Sequence, residues 1–117
     1  MNVVAKGKSA NCKTAGGVYF AQCRECAAQY VGETKHPLKD RLTKRRHHIK
    51  IGLKADGAAA HTITEGSEHT FTYKLLDVDT NDCKRRQIEQ RWIGRLHTDQ
   101  PPGVNTDKHI FRWWDVP

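Results

Sequence analysis

The sequence predicts a single α+β domain built on a small, mainly antiparallel three-stranded sheet flanked by helices. Two observations support this prediction. Short β-rich runs and longer runs of helical period follow one another in the order β-β-α-(α)-β-α, with turn residues between them. The chain has 117 residues, of which 37% are hydrophobic, and a domain of this size buries only about two-thirds of its surface. We therefore expect one small core, which a bound metal ion would help to hold together.

The first two predicted strands form a hairpin. Residues 18–21 and 29–31 are short runs of β-branched and aromatic residues, which favour strands. Because successive side chains of a strand point to opposite faces, Tyr19 should lie on one face of the sheet and Val18 and Phe20 on the other.

The later elements follow from periodicity and from residues that begin or end helices. Residues 36–51 should form a helix, because apolar residues recur at about helical spacing and Pro37 suits a first turn. Residues 57–64 are rich in alanine and predict a short second helix. The alternating run 70–79 predicts the third strand, and residues 82–97, which follow potential N-cap residues, predict the last helix.

Residues 1–15 precede these elements and are small, polar and basic with no lasting period. We interpret them as a leader or an added strand and assign the single domain to residues 16–117. The sequence contains neither a secretory signal nor an apolar run near the ~20 residues needed to cross a bilayer, so we expect no membrane partner. Without a signal, the four cysteines argue against a disulfide framework, and we expect an intracellular protein.

Basic residues outnumber acidic ones. The 20 Lys and Arg residues against 13 Asp and Glu residues give a net charge of +7, and the run 44–48 concentrates it. This excess favours a polyanionic partner such as DNA, with a solvated basic face as the simpler alternative. The candidate DNA-binding residues lie on the first predicted helix or at its entry: Lys35, Lys39, Lys44, Arg45, Arg46 and His47.

A pair of cysteines in the hairpin connection predicts a structural zinc site. Cys23 and Cys26 have the spacing of a tetrahedral zinc site, and His61 and His69 could complete a Cys2His2 set. Redox chemistry is the rival for such a pair, but it favours a helix N-terminus, whereas the residues after Cys26 continue as a strand.

Five positions, in order along the chain, carry a resemblance to a known family. Gly17-Val18-Tyr19 and Tyr30-Val31-Gly32 lie on the paired strands, with their tyrosines eleven residues apart. Arg41 follows on the first predicted helix, Glu89 on the last helix, and Asn105 beyond it. This pattern resembles the GIY-YIG nuclease family over most of the chain.

Within that family, the chain is most similar to the endonuclease domain of Penelope-like retroelements. The likeness rests on residues 31–34 (VGET), residues 38–41 (LKDR) and the cysteine pair inside the hairpin. It implies that a nick supplies a primer end to a reverse transcriptase domain of the parent protein, and that the protein works in the nucleus of a eukaryotic host.

The resemblance implies metal-dependent hydrolysis of DNA phosphodiesters, with one active site that nicks one strand. The planar guanidinium of Arg41 suits phosphate oxygens, and the Glu89 carboxylate would hold a catalytic Mg²⁺ or Mn²⁺. Alternatively, Arg41 is a solvent-facing helix residue, and Glu89 pairs with Arg85 or Arg86.

The tyrosines are expected to act on the attacking water. Tyr19 is the candidate general base, because Arg41 and a bound cation should lower the pKa of its phenol. Tyr30 would orient the water or phosphate, and Asn105 would steady the end of Glu89 or the sheet. In one departure from the family, Arg45 stands where members commonly carry His or Tyr, and we expect it to contact phosphate instead.

A second functional class fits the same sequence. A zinc-stabilised nucleic-acid-binding module without catalysis would share this fold and use the basic surface alone. The set formed by the tyrosines, Arg41, Glu89 and Asn105 favours the enzyme, because a binding module has no need for a glutamate at the margin of its core.

Overall fold

The computed structural model describes residues 2–5, 8–11 and 13–105, and it confirms the predicted class: a small α+β fold with a three-stranded antiparallel sheet and three helices. The last part of the predicted domain, residues 106–117, lies outside the described residues. The elements in chain order are β1 (Asn2–Ala5), β2 (Lys8–Asn11), β3 (Gly17–Cys23), β4 (Gln29–Thr34), α1 (Leu38–Lys50), α2 (Gly57–Glu65), β5 (Phe71–Val78) and α3 (Asp82–Leu96).

The main sheet has the strand order β4-β3-β5, so that β3 is central and both of its neighbours run antiparallel to it. Tyr19 lies opposite Gly32, and Ala21 lies opposite Tyr30. This register places the two predicted catalytic tyrosines on the same face of neighbouring strands.

The first strands form a separate antiparallel hairpin. β1 pairs with β2 in a two-stranded sheet that lies next to β5. The residues interpreted as a leader or an added strand thus contribute two strands to the described fold.

The two faces of the main sheet carry different helices. One cluster places Tyr19, Tyr30 and Leu75 with Leu38 of α1 and Ala58 of α2. The other cluster contains Val18, Val31 and Phe20 with apolar residues of α3. The predicted alternation along β3 is confirmed, because Tyr19 faces α1 and α2 while its neighbours face α3.

Residues at the helix starts explain the element boundaries. Pro37 has φ −53° and ψ 142°, an extended conformation, so α1 begins after it rather than at residue 36 as predicted. The carboxylate of Asp56 accepts a 2.8 Å hydrogen bond from the Ala59 amide and caps α2. Asn81 caps α3 in the same way, through the Lys84 amide.

Among the described residues, no helix combines the length and apolar character needed to span a membrane.

Candidate active site and metal centre

The two predicted catalytic tyrosines meet on the sheet. Their ring centroids are 6.2 Å apart, and both side chains are almost completely buried, with 1% exposure for Tyr19 and 6% for Tyr30. Gly32 makes this arrangement possible, because a Cβ at that position would lie 2.5 Å from the phenolic oxygen of Tyr19. A glycine is therefore needed at position 32, because any side chain there would collide with the ring of Tyr19.

Arg41 lies at the margin of this cluster. Its Nη2 atom donates a 2.6 Å hydrogen bond to Oδ2 of Asp56, and its side chain remains 21% exposed. Asp56 fixes the orientation of the guanidinium through this ion pair. Asp56 is not among the site residues expected from the sequence, although its position directly before a short alanine-rich helix is typical of an N-cap.

Arg45 lies in the core rather than on the DNA-facing surface, and this corrects the expectation that it contacts phosphate. Its side chain is only 2% exposed. Atoms Nε and Nη2 donate to Oδ2 of Asp56 at 3.1 and 2.6 Å. The other members of the predicted DNA-binding set are exposed: Lys35, Lys39, Lys44, Arg46 and His47.

Three tyrosine rings surround the buried guanidinium of Arg45. Its Cζ atom lies 5.4 Å from the ring centroids of Tyr19 and Tyr30 and 5.6 Å from that of Tyr73. Nη2 donates to the Tyr19 hydroxyl at 2.6 Å, and Nη1 donates to the Tyr73 hydroxyl at 3.3 Å. Tyr73 is a further member of the cluster that the sequence did not point to.

Charges within the cluster stabilise one another. Burial alone lowers the pKa of Arg45, but Tyr19 and Asp56 outweigh it, and the pKa rises well above its usual value. Burial likewise raises the pKa of Asp56, but Arg45 and the Ala59 amide outweigh it, and the pKa is lowered. Both groups are therefore ionised at neutral pH.

The pKa of Tyr19 is raised, not lowered as expected from the sequence. Burial disfavours the phenolate, and it outweighs the opposing charges of Arg45 and Arg41 among the protein's own groups. The expectation considered Arg41 but not the nearly complete burial of the ring, which no local pattern reveals.

Glu89 acts on this cluster from α3. Burial raises the pKa of Tyr30 well above its usual value, and the negative charges of Asp56 and Glu89 add to the increase. Glu89 is half-buried, at the margin of the core as predicted. Arg85, one of its proposed alternative partners, pairs with Glu33 and Asp82 at 2.7 and 2.6 Å.

Asn105 braces the sheet at the second tripeptide. Its Oδ1 atom accepts from the Val31 amide at 2.6 Å, and its Nδ2 atom donates to the Val31 carbonyl at 2.7 Å. The side chain, 2% exposed, thus pairs with β4 as an additional strand residue would. Of the two roles expected for Asn105, the structure places it at the sheet.

The four predicted metal ligands come together beside the end of β3. Their donor atoms all lie within 4.8 Å of one another. Cys23 Sγ is 3.5 Å from His69 Nδ1, and Cys26 Sγ is 3.4 Å from His61 Nε2. Two thiolates and two imidazoles are a donor set that zinc favours, so Cys23, Cys26, His61 and His69 could bind a metal such as zinc.

Burial and the neighbouring ligands shift the pKa values of His61 and Cys26. Burial lowers the pKa of His61, and the neighbouring His69 lowers it further, which favours the neutral imidazole that binds metals. A backbone hydrogen bond from Ala28 lowers the pKa of Cys26, but desolvation and the Cys23 thiol outweigh it, and the pKa is raised.

Helix α2 connects the metal cluster with the tyrosine cluster. The metal cluster consists of Cys23, Cys26, His61 and His69, and the tyrosine cluster consists of Arg45 and the three tyrosines around it, Tyr19, Tyr30 and Tyr73. His61 lies on α2, whose capping residue Asp56 holds both Arg41 and Arg45. Thr62 of the same helix donates a 2.7 Å hydrogen bond to the His69 carbonyl. A metal bound by both histidines would therefore fix the helix that positions the arginines.

Comparisons of the chain with family models, with curated proteins and with solved structures find no match.

Proposed function

We propose that the protein is a metal-dependent DNA endonuclease of the GIY-YIG type that nicks one strand of its substrate. The observation that carries this proposal is the cluster on the sheet. Two tyrosines from matching tripeptides lie side by side on antiparallel strands, next to an arginine whose side chain is 21% exposed and within the electrostatic influence of a glutamate.

Each residue has a role suited to its surroundings. Arg41, oriented by Asp56, would bind a phosphate oxygen and the negative charge that develops on it. In its phenolate form, Tyr19 would accept the proton of the attacking water and become the neutral phenol, and Tyr30 would orient that water. Asn105 would hold β4, and with it Tyr30, in register.

Glu89 would hold the catalytic cation. A single half-buried carboxylate fits Mg²⁺ or Mn²⁺, because Mg²⁺ is commonly bound by one or two carboxylates and retains several waters. When bound, the cation would stabilise charge on the phosphate and promote deprotonation of water. A structural zinc ion on the Cys2His2 cluster would be separate from it, with all four positions filled by protein ligands.

The resemblance to retroelement endonucleases extends this proposal. The nick would provide a primer end for a reverse transcriptase domain, and the reaction would take place in the nucleus of a eukaryotic host.

The alternative is a zinc-stabilised nucleic-acid-binding module without catalysis. The burial of both tyrosines favours this module, because tyrosine side chains enclosed in the core can pack the sheet without contacting a substrate. Nicking of supercoiled plasmid, with and without added Mg²⁺ or Mn²⁺, separates the two. Metal-dependent conversion to the open circle supports the enzyme, and binding without conversion supports the module.

A further inference from the structure

A groove runs between α1 and β5, on the side of the molecule that carries the metal cluster. It consists of two adjoining cavities of about 210 and 580 Å³. One wall is α1, with Lys39 and Arg46, and the other includes Phe71 and Tyr73 of β5. Arg24, between the two cysteines of the metal site, lines both cavities. We call it the α1–β5 groove.

The charge of the α1–β5 groove is positive. Arg24, Lys39 and Arg46 are exposed, and none of the described residues that line the groove is acidic. Within the described part of the chain, these three side chains form no ion pair. Three uncompensated cations facing one concave surface attract a polyanion and suit phosphate contacts.

The inner end of the groove reaches the tyrosine cluster. Arg45 and Tyr73 line the smaller cavity. Arg45 joins the Tyr73 hydroxyl to the Tyr19 hydroxyl by hydrogen bonds of 3.3 and 2.6 Å. A strand in the groove would thus lie one side chain away from the proposed general base.

The hairpin connection that carries Cys23 and Cys26, which we call the metal hairpin, holds the backbone of Arg24 in place. The amide of Arg24 donates a 2.9 Å hydrogen bond to the Thr70 carbonyl, and the preceding Cys23 is a metal-ligand candidate. The hairpin therefore presents a cation across the groove from Arg46.

We infer that the α1–β5 groove binds a phosphodiester backbone, and that the metal hairpin contributes Arg24 to this contact. The inference rests on the proposed function only in taking nucleic acid as the partner, and it requires no cleavage. It assigns the hairpin a second role besides stabilising the fold.

The test is fluorescence anisotropy with labelled single-stranded and duplex oligonucleotides at several salt concentrations. No Mg²⁺ or Mn²⁺ is added, and zinc content and melting are checked for each variant. Arg24→Ala and Arg46→Ala should each weaken binding and reduce the slope of log K against log salt by about 0.7 to 0.9. Lys74→Ala is the matched control, because it removes the same charge from β5 on the opposite face of the sheet.

Wild-type affinity and slope in both groove variants, for both probes, would overturn the inference. Equal losses in all three variants would also overturn it, because they would indicate diffuse attraction. Plasmid nicking, measured in parallel, keeps the proposals apart. A protein that fails to nick but loses binding only in the groove variants supports the groove and refutes the endonuclease. A protein that nicks plasmid, and whose groove variants bind normally, supports the endonuclease and refutes the groove.

Discussion

Arg45 donates a 2.6 Å hydrogen bond from Nη2 to the phenolic oxygen of Tyr19, and both side chains are almost completely buried. A guanidinium is not deprotonated in proteins, so the Tyr19 oxygen always faces a positive charge. A His at the position of Arg45, a common choice in the family that the chain resembles, would present a group that titrates near neutrality. Of this pair, only Tyr19 can act as a base.

The pH dependence of nicking should reflect this arrangement. Because the pKa of Tyr19 is raised by burial, the fraction of phenolate should increase with pH throughout roughly pH 7 to 10. The nicking rate should rise over the same interval, as measured from initial rates on plasmid. Tyr19→Phe should lower the rate on the order of 10²-fold or more. A rate that levels off at about pH 6.5 would instead indicate a histidine base.

Arg45 should matter for stability and Arg46 should not. Among the described residues, Arg45→Ala leaves the buried Asp56 with Arg41 as its remaining cationic partner, and we expect the free energy of unfolding to fall by about 3–5 kcal/mol. Arg46→Ala, one residue further on an exposed face, should change it by less than ~0.5 kcal/mol. Urea denaturation of both variants provides the measurement. Equal stabilities would mean that the Arg45–Asp56 pair contributes nothing to folding.

Acid should weaken the same pair. The pKa of Asp56 is lowered in the folded protein, so its contribution is fully present above the unfolded value of about 3.9 and is lost as pH falls through the folded value. The stability difference between wild type and Asp56→Asn should therefore narrow below about pH 4. Asp99→Asn, an exposed control, should differ little from wild type at any pH. A gap for Asp56→Asn that stays constant into acid would contradict the assigned ion pair.

Loss of the metal ligands should affect both stability and nicking. A Cys23→Ser, Cys26→Ser double variant should lose zinc and its cooperative melting transition, because binding energy at such a site is folding energy. Nicking should fall with it, since α2 carries both His61 and the cap that orients the arginines. Cys83→Ser, at an exposed thiol, is the control and should retain zinc and melting. Metal analysis and calorimetry decide the outcome, and a double variant that melts like wild type would show that the thiols are merely packed.

The sequence predicted those features that depend on local pattern. Alternation along β3 correctly placed Tyr19 and Val18 on opposite faces, and the cysteine spacing led to the ligand set that the fold assembles. These features can be predicted because the alternation of side chains along a strand and the spacing of two cysteines in a tight connection depend only on residues close together in the sequence.

The position of Arg45 was not predicted, although a signal for it exists. Leu38, Leu42, Arg45 and Ile49 recur every three or four residues, so the arginine belongs to the apolar stripe of α1. Its charge, however, led to the prediction that the side chain of Arg45 is exposed, because arginine is seldom buried without a partner. Only the fold reveals that Asp56, eleven residues later, enters the core to neutralise it. Burial of an ion pair depends on both partners, and these come from different elements.

Glu89 is the proposed ligand of the catalytic cation of an endonuclease, so the decisive experiment compares the nicking rates of wild type and Glu89→Gln on supercoiled plasmid in saturating Mg²⁺ or Mn²⁺. Removal of the charge should abolish nicking while zinc content, melting and DNA binding stay near wild type, and Glu68→Gln, an exposed control, should nick normally. A Glu89→Gln protein that nicks at the wild-type rate would show that Glu89 does not hold the catalytic cation.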